Sequence, residues 1–132
     1  MKRVVLDASA VMAFFENRPG AEKVEDLINR AVEEKVELLM SMVSWGEVYY
    51  SVWRARGKGA AEEKLRFLGQ LPIEIVPPEA ELTKLAASFR AQHKLLYADC
   101  FVAALAKTRK AELLTADADF ALVKHEVQLL KL

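Results

Sequence analysis

Apolar residues fall along this chain in two alternating patterns, short solid runs and rows spaced by three or four. Arg3–Leu6 is the first solid run and predicts a short buried strand, with a helix beginning near Ser9 just beyond Asp7. Ala21–Glu34 carries Val24, Leu27, Ile28, Ala31 and Val32 at the spacing of an amphipathic helix. Glu37–Met40 predicts a second strand. Met42–Arg56 predicts an aromatic-rich helix that Gly57 ends, and Ala60–Leu71 another helix. "IEIV" at Ile73–Val76 reads as a strand stopped by Pro77 and Pro78. Glu79–His93 puts Leu82, Leu85, Ala86, Phe89 and His93 on one helical face. Ala98–Arg109 is apolar almost all round until Lys107, so that helix is expected to be buried. "AELLTAD" and "VQLLKL" read as the last two strands.

Strands alternating with helices imply βαβ units, a parallel sheet and right-handed crossovers. The expected fold is a three-layer α/β/α sandwich around a central parallel sheet. In such sheets ligands sit beyond the carboxyl ends of the strands. Asp7 stands at such an end.

Composition narrows the picture. The 132 residues, just over half of them hydrophobic, suit one domain with one sizeable interior spanning residues 1–132. No run reaches the roughly 18 uncharged apolar residues of a membrane helix. "VVLDASAVMAFF" is broken by an acid, unlike a signal peptide, so a soluble cytoplasmic protein is expected. Cys100 is the single cysteine, which excludes an intrachain disulfide and a Cys-rich zinc site. Lys plus Arg and Asp plus Glu number 19 each, so there is no overall basic footprint for nucleic acid.

Four carboxylates stand beside apolar runs, and each has a structural explanation. Asp7 can cap the helix that follows it. Glu47 closes "SWGE", a capping box if the helix begins at Ser44; taken alone, that reading is preferred. If the helix begins after Ser41, Glu47 lies in its second turn and caps nothing. Asp99 opens the most apolar helix, where the macrodipole favours an acid. Burying it with that helix would still require compensation. Asp117 follows a strand, and Asp119 could cap Ala118–Val123 in its place.

Together the four are harder to explain as caps. Were the first and fourth strands neighbours, Asp7, Asp99 and Asp117 would meet at one sheet edge and raise one another's pKa. A hard divalent cation such as Mg²⁺ or Mn²⁺ would relieve that repulsion and could assist attack of water on a phosphodiester. Ser9 and Thr115 could orient the acids or a water, or simply bond to local backbone. His93 and His125 lack a companion ligand, Cys100 reads as core, and no glycine-rich phosphate loop is present.

"VVLDASAVMAFF", "SMVSWGEV", "LLYADCFVAALA" and "LLTADADF" resemble, in order and spacing, the four acidic motifs of the PIN-domain nucleases, most closely the VapC-type toxins of toxin–antitoxin systems. The resemblance covers essentially the whole chain. It implies strand order 3-2-1-4-5, with the first and fourth strands adjacent. It also implies a Mg²⁺- or Mn²⁺-dependent ribonuclease. Asp7 and Asp99 match the metal ligands, and Glu47 and Asp117 match the acids that position the metal and its water. A homodimer is implied, silenced by an antitoxin whose C-terminal segment enters the acidic groove.

For RNA contacts the sequence offers Arg54, Arg56, Lys58, Lys64 and Arg66 around the second motif's helix. Lys107, Arg109 and Lys110 form a second group, better explained as cations at a helix C-terminus. Trp45, Tyr49, Tyr50 and Trp53 share helical spacing and are read as core and interface. Three other functions stay open. One is a PIN nuclease outside toxin–antitoxin systems, and another is a PIN-like binding module without activity. The third is a phosphatase using Asp7 as nucleophile, although Ser9 stands where a second acid is expected.

Overall fold

The computed structural model describes residues 1–132. Five strands make one all-parallel sheet: β1 (Lys2–Leu6), β2 (Val36–Ser41), β3 (Ile73–Val76), β4 (Glu112–Thr115) and β5 (Leu129–Lys131). Their order is β3-β2-β1-β4-β5, as the resemblance implied. Six helices cover the faces: α1 (Ala8–Phe15), α2 (Ala21–Val32), α3 (Met42–Arg56), α4 (Lys58–Leu68), α5 (Ala80–Gln92) and α6 (Tyr97–Arg109).

β1 is central, pairing with β2 through Val4↔Leu38 and with β4 through Val5↔Leu113. Its Val4, Val5 and Leu6 are wholly buried, as a strand covered on both faces requires. Alternation along the strand sends Val4 and Leu6 into an interior shared with Val24, Leu27 and Ile28 of α2 and Val48 and Val52 of α3. Val5 enters the opposite interior, built with Phe89 of α5 and the apolar run of α6. Cys100 through Ala106 are all buried, so α6 lies inside the molecule as its sequence predicts, Cys100 among its core residues.

Several boundaries differ from the sequence reading, each for a local reason. α3 starts directly after Ser41, whose hydroxyl accepts from the Val43 N–H at 3.1 Å. Gly57, at φ +94°, turns the chain so sharply that α4 begins at Lys58 rather than Ala60. α2 stops at Val32, which is exposed rather than on the buried face, because Glu34 at φ +59° cannot continue a helix. Ala118–Val123 is a short 3₁₀ turn.

α6 ends at Lys110 in the left-handed region, φ +53°, a position that favours glycine. Lys110→Gly is therefore expected to stabilise the fold by about 0.5–1 kcal/mol, read as a higher denaturant midpoint at an unchanged m-value.

Candidate active site

The carboxyl ends of β1 and β4 lie side by side and carry Asp7 and Asp117. Asp7 is almost completely buried and tightly held. Its Oδ1 accepts from the Ser9 hydroxyl at 2.7 Å and from the Ala10 N–H at 2.9 Å. Its Oδ2 accepts from the Thr115 hydroxyl at 2.5 Å. Asp7 thus caps α1 and ties it to β4 at once. Both hydroxyl protons go to Asp7, which leaves none for the 3.4 Å approach between Ser9 Oγ and Thr115 Oγ1. The hydroxyl oxygens accept in turn, Ser9 from the Ala116 N–H and Thr115 from the Asp117 N–H. Both hydroxyls therefore donate to Asp7, while the backbone bond is local for Thr115 and spans 107 positions for Ser9.

Burial pushes the Asp7 carboxyl above its ordinary range, and the Asp117 charge adds to the rise. The three hydrogen bonds pull the other way. A carboxylate offers about four acceptor positions. Three are used here, so one remains open on Oδ2.

The other acids come from separate elements. Glu47 stands in the second turn of α3 and caps nothing, because Ser41 takes the capping role that "SWGE" suggested for Ser44. Burial raises the Glu47 pKa, and Asp7 raises it further. Asp99 stands in the first turn of α6, and its buried Oδ2 has no hydrogen-bond partner. Burial first, then the charges of Asp117, Glu47, Asp7 and Asp119, push the Asp99 carboxyl up to about 7. Asp117 Oδ1 accepts from the Asp119 N–H at 2.8 Å, so Asp117 caps the 3₁₀ turn and not, as the spacing suggested, Asp119. Asp119 instead adds a fourth negative charge facing Asp99, a role the repeated acid in "TADAD" could have signalled.

The acids feel one another, but no three His, Cys, Asp or Glu side chains stand close enough to grip one ion together. Residues 4–126 match the PIN domain family. The chain belongs to that family. No curated protein matches the sequence. Among solved structures the fold is similar to VapBC2 from Rickettsia felis bound to a promoter DNA fragment, with TM-score 0.78, 18% identity and 98% of each chain covered. DNA-bound VapBC from Salmonella typhimurium gives 0.76 at 12% identity, over 99% of this chain and 98% of that one. VapC20 of Mycobacterium tuberculosis, a sarcin–ricin-loop-cleaving toxin, gives 0.68 at 13%, over 94% of this chain and 95% of that one.

The basic residues singled out from the sequence are engaged as follows. Arg54 and Arg56 lie seven or more residues beyond Glu47, roughly 10 Å or more along α3, and Lys58 opens α4. Arg56 approaches Glu16 at 3.5 Å, and Lys58 sits over the Trp53 ring at 5.7 Å. Lys107 pairs with Glu126, and Arg109 pairs with Glu74 at 2.9 Å, both at the far end of α6 from Asp99. His93 meets Glu126 at 3.8 Å and His125 is exposed. Trp45 and Tyr49 pack on the interior, while Tyr50 and Trp53 face solvent. No helix is long and apolar enough to cross a membrane.

Two outcomes follow from this geometry. Thr115→Val removes a donor to buried Asp7 and an acceptor for Asp117, and is expected to cost about 1–3 kcal/mol near neutral pH. Thr115→Ser should recover most of it in denaturant unfolding. For Asp99, the unfolded chain releases its proton near 3.8 and the folded chain near 7. Between those values the folded state binds more protons, so stability falls as pH rises. Asp99→Asn never ionises and is expected to melt about 3–5 °C above wild type at pH 8, with no advantage at pH 4.

Proposed function

We propose that this protein is a Mg²⁺- or Mn²⁺-dependent endoribonuclease that hydrolyses RNA phosphodiester bonds, acting in the cytoplasm as the toxin of a toxin–antitoxin pair. Asp99 carries the reading. A carboxylate half out of water, with an oxygen that finds no donor and four other acids around it, is costly unless a cation comes to it.

The donor set fits a hard divalent ion, because it is all oxygen and over-negative. Asp7, through its open Oδ2 position, and Asp99 would hold the ion. Glu47 and Asp117 would position the attacking water. When bound, the ion lowers the pKa of water and offsets charge on the phosphate. The protein's own part is to keep Asp7 aligned through Ser9 and Thr115. Glu47, its pKa raised by burial and by Asp7, would take a proton from the water.

Two protein partners belong to this reading. One is an antitoxin whose C-terminal segment enters the acidic groove, supported by the likeness to VapBC complexes. The other is a second copy of the chain, for which exposed Tyr50 and Trp53 on α3 offer apolar surface.

Purified protein is expected to cut cellular RNA with Mg²⁺ or Mn²⁺ and to stop on chelation. Asp7→Asn and Asp99→Asn should each slow cleavage by about 100-fold or more. Cleavage by Asp99→Asn at the wild-type rate, or cleavage unaffected by chelator, would overturn the reading. RNA binding that needs neither metal nor Asp99, without cleavage, would leave a PIN-like binding module.

A further inference from the structure

A groove of about 360 Å³ opens beside Asp117, between the end of the sheet and the 3₁₀ turn. Thr115 and Asp117 line it from the end of β4. Ala118 and Ala121 line it from the turn, and Leu129 and Lys131 from β5. Residues three apart in a 3₁₀ turn share a face, so the two alanines present one shallow apolar side. Lys131 is the only cation lining the groove, and it makes no ion pair with any carboxylate.

Lys131 is nonetheless well placed in the backbone. It stands opposite Thr115 in the β4–β5 register. Its carbonyl accepts from Lys23 Nζ at 2.6 Å, and the following Leu132 N–H donates to the Thr115 carbonyl at 3.3 Å. The end of β5 is therefore held alongside the residue that orients Asp7, with its ammonium free.

We infer that this groove is a nucleotide subsite: it receives the nucleotide flanking the scissile phosphate of single-stranded RNA, with Lys131 on that nucleotide's phosphate. The inference rests on the ribonuclease reading. The volume is at the small end of ligand pockets, enough for one nucleotide rather than a folded element. The apolar side suits a base or ribose, the lysine suits a phosphate, and Asp117 brings the groove to the acidic edge. A phosphate on Lys131 would position the strand without reading its sequence. The scissile phosphate would lie past Asp117, at the proposed ion, and Lys131 would hold the neighbouring phosphate.

The test uses fluorescently labelled random-sequence RNA of about 12 nucleotides, within the site size of single-strand binders. Binding is followed by anisotropy in chelator, and cleavage of the same pool in Mg²⁺. Lys131→Ala is expected to weaken binding about 3- to 10-fold and to lower the slope of log K against log salt by about 0.7, one phosphate contact on a single strand. Lys131→Arg should restore both. Ala121→Phe, which fills the groove from an exposed position, should raise KM about 10-fold with kcat nearly unchanged; wild-type melting temperatures would show both variants folded. Wild-type affinity and salt slope in both folded variants would overturn the subsite while leaving the nuclease intact. So would failure of the wild-type protein to bind the RNA. Lys131-dependent binding by a protein that cuts nothing would keep the subsite and remove the nuclease.

Discussion

The acidic edge depends on holding Asp7 in one place while it is almost out of water. An ionised carboxylate at 4% exposure is unfavourable unless donors surround it. Here they come from the start of α1 and the end of β4, through the Ala10 N–H and the Ser9 and Thr115 hydroxyls. The same contacts that make the charge tolerable also lock the first helix against the fourth strand. Asp7 is therefore both the cap of α1 and the fixed point of the site, and the two roles do not compete.

The remaining acids are held less completely, and their electrostatics follow from that difference. Glu47 and Asp99 gain no donors to match the water they lose, so burial dominates both, and each like charge adds to the strain. Asp117 is half committed to its own turn. Carboxylates from α3 and α6 thus face those at the ends of β1 and β4. The sheet order brings these elements together, because β1 and β4 are neighbours although most of the chain lies between them.

Most of the fold was legible in the sequence, because solid apolar runs and helical spacing are read directly from residue type. The burial of α6 follows from "CFVAALA" alone. Ends of elements were less legible, since they turn on single backbone angles such as those at Gly57 and Glu34. The acids were visible as exceptions to the apolar pattern, yet Glu47 was first read as a cap. Ser41 and Ser44 both precede it and both can cap a helix, and only the backbone decides between them. Asp119 and the lone lysine of β5 were missed because one lies in a polar stretch and the other looks like an ordinary exposed residue of the last strand. Their meaning comes from neighbours more than ten residues away or on another element.

One bond described above also bears on the order in which the chain assembles. Asp7 and Thr115 are 108 positions apart, and their hydrogen bond joins the carboxyl ends of two adjacent strands. Contacts of such long separation are slow to form, since loop-closure entropy must be overcome before the pairing is rewarded. As the chain emerges from its N-terminus, β1 has to wait for nearly all that follows before its acid finds a partner. The acidic edge is thus completed among the last parts of the fold, so an unfinished chain carries the first carboxylate without the environment that gives it chemistry.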